Sequence, residues 1–278
     1  MHLAISRQFA LLAAAALAVL FSAGCSGQTG DPPVSKGIPA PGGKDLRLRD
    51  VGNPLLPRHA EFLTSSPSIS GVIVTAVDTY DETENGKGTG TLYVQDIGAA
   101  EPYSGMSLFA TTFNPGNLRV SVGDVLDLHG EYQEARDRGP NAIFPKDSVQ
   151  AQIAFATASF RYETRAPQPL DLKLADLMDF ANGRRWIGML VRLTDVTAAG
   201  EMYTAASGRA SIDIAPSGSG AVTGCNAPFP KAPQIVNDLM DLKPLNLKTG
   251  SKLKSVVGVV GFFCTIHLAP RSLADVKL

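Results

Sequence analysis

From residue 66 onward apolar and polar positions alternate in short runs separated by turn signals, the pattern of strands with one buried and one wet face. The first run, Ile69 to Val77, is rich in β-branched residues, and a polar turn containing Asn85-Gly86 leads to a second, Thr91 to Gln95. A third apolar run covers Met106 to Thr111. In "VSVGDVLDLHGEY", Val120 to Tyr132, the apolar Leu126, Leu128 and Tyr132 alternate with Asp127, His129 and Glu131. "VQAQIAFATASFRY", Val149 to Tyr162, supplies a fifth strand. Five short strands with no long helix among them predict a small closed barrel.

The pattern then restarts. "DLKLADLMDFANG" sets Leu174, Leu177, Met178 and Ala181 at helical spacing, with Gly183 as the stop. Ile187 to Val196 is the counterpart of Ile69 to Val77, with Arg184, Arg185 and Trp186 opening the strand, and "RASIDIAP" is the counterpart of the second strand. "PQIVNDLMDLKP" places Ile235, Val236, Leu239 and Met240 on one face of a short predicted helix. "LKTGSKLKSVVGVVGFF", Leu247 to Phe263, then repeats the earlier phrase, with Gly250 standing where Gly123 stood. The next glycine, Gly258, falls one residue later than the spacing of Gly130, a difference that a bulge would absorb.

Strand, hairpin, strand, optional helix and two more strands is the order of the five-stranded Greek-key barrel called the OB-fold. The expected fold is therefore all-β: two tandem OB-like five-stranded barrels, over residues 66–164 and 165–278, with one or two short helices. A β-sandwich is the rival architecture for the same alternation. "VGDVLDLHGEY" resembles the fourth strand of the OB-type modules attached to bacterial secreted nucleases and other exported proteins, and "LAPRSLADVKL" resembles the closing segment of tandem modules of this sort. That resemblance spans roughly residues 66 to 278 and implies an exported binding module.

The N-terminus fits export. Arg7 precedes an unbroken apolar run, Phe9 to Phe21, which is followed by small residues and Cys25, the layout of a secretory leader over residues 1–24. The run is shorter than the ~20 residues of a permanent membrane-spanning helix. "SAGC", Ser22 to Cys25, resembles the lipobox of bacterial lipoproteins, with Ser22 where that family prefers Leu. The resemblance implies acylation of Cys25 and, because Ser26 rather than Asp follows it, an outer-membrane lipoprotein on the periplasmic or surface face. An ordinary cleaved signal, giving a soluble periplasmic or secreted protein, is the alternative. Residues 25–65 are dense in Pro, Gly and small polar side chains and are expected to form a flexible tether.

Charge narrows the partners. Lys and Arg number 25 against 26 Asp and Glu, so the chain lacks the basic excess that holds phosphate backbones at physiological salt. Aromatic residues make up 7%, with the single Trp186, which leaves little for base stacking. In an oxidising compartment Cys225 and Cys264 are expected to form a disulfide, worth on the order of 4 kcal/mol. A metal site is the rival for these cysteines, but His59, His129 and His267 show no paired spacing and no CxxC or HxxxH occurs.

Motifs for catalysis fail residue by residue. "DETENG" has Asp81, Asn85 and Gly86 in register with a Ca²⁺ loop, yet Leu92 occupies the position of the bidentate Glu, so an acidic hairpin tip is expected. Its acids would repel phosphate from a loop that OB-folds often use for binding. "GKGTG" lacks the first glycine and the Ser/Thr of a phosphate loop. No GxSxG occurs, and Ser217 and Ser219 have no evident base. No catalytic residue, metal or cofactor is expected, and the chain is read as not an enzyme. The candidate ligand-binding residues are Arg184, Arg185 and Trp186, with Lys252, Lys254 and Arg271, since cations beside an aromatic can grip an anionic polymer or a nucleic-acid strand. The competing reading makes the lysines the wet face of a strand and Trp186 core. The sequence thus suggests a non-catalytic binding or scaffold protein of the cell envelope, held to the membrane by its lipid and facing an unidentified protein or polymer partner. The other reading is a single-strand nucleic-acid-binding accessory of an extracellular nuclease.

Overall fold

The repeated phrase marks the same corner of two barrels. A computed structural model describes residues 46–60, 67–86, 88, 90–98, 100–135, 150–215, 232–263 and 265–278. In it the backbone turns through Gly123 at φ 102° and through Gly250 at φ 84°, a region glycine enters without strain, before each barrel's longest or next-longest strand. The first barrel contains β1 (Ser68–Val77), β2 (Leu92–Asp96), β3 (Gly105–Phe109), a short β4 (Thr112–Asn114), β5 (Asp124–Ala135) and β6 (Gln150–Glu163). The second contains β7 (Leu170–Asp171), β8 (Leu190–Ala198), β9 (Tyr203–Thr204), β10 (Ala210–Ala215), β11 (Gln234–Val236), β12 (Lys252–Phe263), β13 (Thr265–Ala269) and β14 (Val276–Lys277).

Both rings close in the same way. In the first, β1 pairs with β2, β2 with β3, β3 with β6 in parallel, β6 with β5, and β5 returns to β1. In the second, β8 pairs with β10, β10 with β11, β11 with β13 in parallel, β13 with β12, and β12 returns to β8. This is an all-β, two-barrel protein with the strand order of OB-like Greek-key barrels. Period-two alternation decides what each ring encloses: Leu126, Leu128 and Tyr132 are buried with Val72, Val94 and Ile153, whereas His129 faces out. The bulge appears in the first copy, where the β5 register slips around Gly130; a Cβ there would lie 2.5 Å from Ile153 Cγ2. The expected slip in the second copy is absent, because β12 runs in unbroken register against β8 and β13.

Several local expectations are corrected. The helix expected over residues 174–183 is two single turns, Ala175–Met178 and Phe180–Gly183, interrupted where Asp179 is extended and its carboxylate caps the Ala181 N–H. Arg184–Trp186 forms a 3₁₀ turn and does not open a strand; β8 starts at Leu190, after Gly188 turns the chain at φ 83°. The helix expected around Ile235 and Met240 is instead β11 followed by a bend and the 3₁₀ turn Lys243–Leu245. Its reason is polar: the buried Asn237 side chain accepts from Ala210 N–H at 2.7 Å and donates to Gly208 O at 3.2 Å, replacing strand pairing where β11 stops. The tether expectation also reaches too far, because Leu48–Gly52 is a helical turn that buries Leu48 and Val51 in the first barrel's core. Asp96 fixes that turn by accepting from Leu48 N–H at 2.8 Å and Arg49 N–H at 3.1 Å. Residues 25–45, the leader, Cys25, Ser217, Ser219, Cys225 and Cys264 lie outside the described residues.

The two barrels share a seam and belong to one compact unit. Ala76 and Tyr93 of the first pack with Leu190, Val236, Leu239, Val259 and Ala269 of the second. Gly105 and Gly188 let the backbones meet: a Cβ on Gly105 would lie 2.4 Å from Gly188 C, and one on Gly188 would lie 2.2 Å from Met106 N. Hydrogen bonds lock this register. Leu190 N–H donates to Gln95 Oε1 at 3.2 Å, Tyr103 N–H to Arg185 O at 2.6 Å, and Arg271 Nη1 to Thr75 O at 3.2 Å.

Candidate ligand-binding surfaces

An OB-type barrel offers ligands the outer face of its second and third strands together with the loops that flank them. In the first barrel those outward positions are Tyr93 and Gln95 on β2 and Gly105 and Ser107 on β3, alternate to the core residues Val94, Met106 and Leu108. All four are occupied. Tyr93 belongs to the seam cluster, Gln95 binds Leu190, Gly105 abuts Gly188, and Ser107 is 4% exposed. Only the strand end emerges, where Phe109 meets the ring of Phe155 edge-on at 6.5 Å, both rings exposed.

The loop after β1 is also committed. Glu82, expected on a solvated acidic tip, is buried and pairs with Arg209 of the second barrel at 3.0 Å. Gly208 gives it room, since a Cβ there would lie 2.5 Å from Glu82 O. Asp81 turns its carboxylate back onto the loop, accepting from Asn85 N–H at 3.1 Å and Gly86 N–H at 2.5 Å, so its oxygens cap a turn. Among the described residues no three His, Cys, Asp or Glu side chains come together as a metal-binding group.

Titrating groups line the seam. Burial, reinforced by Asp238 and Asp78, pushes the Tyr93 phenol up, so it stays protonated. Burial pushes Asp238 the other way from its net shift: the hydrogen bond and charge of His267, 3.4 Å away, outweigh desolvation and hold the carboxyl below its ordinary range. On the second barrel the equivalent outer face carries Asp213 and Gln234. Burial raises the Asp213 pKa, against the opposing 2.8 Å bond from Gln234 Nε2. A partly buried acid is a poor floor for phosphate.

The six cationic and aromatic candidates do not form one surface. Register pairs Leu190 with Val259 and Thr197 with Lys252, so by strand rise Lys252 lies roughly 23 Å and Lys254 roughly 17 Å along β8 from Leu190, the end nearest the Arg184–Trp186 turn. Lys254 Nζ donates to Leu278 O at 2.9 Å. Arg271 is a clamp between barrels, bonded to Asp275 at 3.0 Å as well as to Thr75. Trp186 is half-buried against the second core, and its Nε1 is buried with no hydrogen-bond partner among the described residues. Arg184 and Arg185 do stay together: their guanidiniums lie 5.9 Å from the Phe180 ring centroid and 5.7 Å from that of Trp186, and among the described residues neither meets a carboxylate.

Arg184 also lines a crevice where the N-terminal turn and both barrels converge. Gly52, Tyr103, Met106, Ala151 and Ile187 form its mainly apolar walls around a cavity of about 20 Å³, room for about one water. Sequence reasoning finds Arg184 but misses the walls, since Gly52 lies in the expected tether and Met106 reads as ordinary core. Comparison of the chain with known proteins finds no matching family model and no matching curated protein.

Proposed function

We propose that this chain is an exported, lipid-anchored, non-catalytic binding or scaffold protein of the cell envelope. One observation carries the preference for a scaffold: the outer face that the first barrel would offer a polymer is spent on the second barrel, through Tyr93, Gln95 and Gly105. A single rigid body made this way holds surfaces at fixed separation, which suits protein contacts better than threading a flexible strand. Export and acylation rest on the leader and on the lipobox resemblance at Cys25. The single-strand nucleic-acid reading keeps only Arg184 and Arg185 in its favour, because Lys252, Lys254 and Arg271 lie elsewhere or are bonded within the fold.

Two measurements test this reading. A mass spectrum of the membrane-fraction protein should show acylated Cys25 as the mature N-terminus, and alkylation with and without reductant should show Cys225 bridged to Cys264. Single-stranded oligonucleotide should migrate unretarded with the purified protein at moderate salt. Retardation that disappears on joint Arg184→Ala and Arg185→Ala substitution would favour the nuclease-accessory reading instead.

A further inference from the structure

Where the first barrel's outer face emerges from the seam, strand register assembles a small platform. Parallel pairing sets Ser107 opposite Gln152 and Phe109 opposite Ala154, and antiparallel pairing sets Gln152 opposite Gln133 and Ala154 opposite Glu131. Paired residues project from the same face of a sheet, so these six form two outward rows, on the side opposite the core residues Leu108, Ile153 and Tyr132. Ser107 ends its row buried at the seam. Gln152 Nε2 donates to Gln133 Oε1 at 3.3 Å and Gln133 Nε2 donates to Glu131 Oε1 at 3.3 Å, which joins the rows in a chain of amides that ends on a carboxylate.

Phe155 reaches the same face through backbone strain. Two residues of β6, Phe155 and Ala156, stand opposite the single Gly130, and this bulge holds Phe155 at φ 50°, the left-handed region that bulges of this kind ordinarily give to glycine. Unbroken alternation would send residue 155 to the core side with Ile153; the extra residue turns its ring outward, to 62% exposure, against the 45%-exposed Phe109. A bulky ring in that conformation costs stability and, so exposed, gains little burial in return, which points to a role outside the fold.

We propose that this platform binds a neutral glycan, with the C–H face of a pyranose ring stacked on Phe155 and Phe109 and its hydroxyls bonded to Gln133, Gln152 and Glu131. The inference deepens the binding-module reading, on which it rests, by naming the ligand class. An aromatic face is electron-rich and attracts polarised C–H groups, and a sugar presents these on its flat side with hydroxyls around the rim. Primary amides donate and accept, as hydroxyls do. Charge selects among ligands that stack. Neither row contains a Lys or Arg to hold a phosphate, and Glu131 would repel one, which disfavours a nucleic-acid strand. An apolar protein or lipid surface would cover the amides and the carboxylate without giving them partners.

Cellohexaose and N-acetylchitohexaose are neutral probes with such faces. Saturation-transfer NMR on the full exported chain, in a detergent without a sugar headgroup, should show transfer to ring C–H protons of at least one of them, with a midpoint on the order of 1 mM. Phe155→Gly should weaken binding about tenfold while leaving the urea midpoint equal or higher, because glycine enters this region without strain. Phe109→Ala should weaken it about as much. No transfer to either sugar, transfer undiminished in both variants, or equal transfer to hexathymidylate overturns the proposal. So does a lowered urea midpoint for Phe155→Gly, since the ring would then serve the fold. A dimer in sedimentation that Phe155→Gly dissolves would give the face to a second copy and overturn it as well. Failure of the scaffold reading is separate: it would show as oligonucleotide retardation lost on joint Arg184→Ala and Arg185→Ala substitution, or as unmodified Cys25.

Discussion

Asp96 sits at the start of the Leu48–Gly52 turn and accepts two backbone N–H bonds, yet burial outweighs those bonds and pushes its pKa from 3.8 up to about 6. The folded chain thus holds this proton more tightly than the unfolded chain does. The associated stabilisation is complete below about pH 4, falls as pH rises, and is gone above about pH 6, a change on the order of 3 kcal/mol. Asp96→Asn should flatten the dependence of melting temperature on pH across that window. A variant that keeps the slope would show that another group is responsible. Asn237 makes a contrasting case, because its side chain satisfies the buried Ala210 N–H. Asn237→Ala should cost about 1–3 kcal/mol in urea unfolding by stranding that donor.

Within single elements, the long strand β5 depends on one missing side chain. Gly130 sits where the β5 register slips, with Ala156 Cα as well as Ile153 Cγ2 inside the reach of any Cβ, so the strand coils tightly across β6 there. Gly130→Val should lower stability by about 2–3 kcal/mol, read as a shifted urea midpoint with unchanged far-UV dichroism in water. A midpoint within error of the unaltered protein would mean that the bulge relaxes freely. The sequence shows this strand clearly, because alternation of Leu126, Leu128 and Tyr132 with polar neighbours admits one assignment. It shows the helices poorly. Leu174, Leu177 and Met178 have helical spacing, but Asp179 prefers to cap the next turn, and a spacing rule contains no such competition.

For the molecule as a whole, the seam decides how the two barrels behave. Gly188 combines φ 83° with a backbone neighbour 2.2 Å from any added Cβ, so even alanine must separate the barrels or distort the turn. Trp186 emission reports the second barrel and far-UV dichroism reports both. The two transitions should coincide for the unaltered chain and separate for Gly188→Ala, with the overall midpoint lowered by about 3 kcal/mol or more. Coincident transitions in the variant would mean that the barrels unfold together without this contact.

The strand alternation, the paired turn glycines Gly123 and Gly250 and the repeated order of elements are local properties of the chain, and they determine two copies of an all-β unit; closure of each into a barrel, rather than a sandwich, shows in the long-range pairings β3–β6 and β11–β13. What the outer faces do was settled only by tertiary structure. Period two says that Tyr93 and Gln95 share a face, but it cannot say whether that face meets water or a second barrel, since a half-buried strand has one pattern in either case. In the same way Leu48 and Val51 are two apolar residues in a stretch rich in Pro and Gly, and only the first barrel's surface turns them into core. The crevice beside Arg184 follows the same rule: the residue is legible in sequence, while the crevice exists because three distant segments meet there.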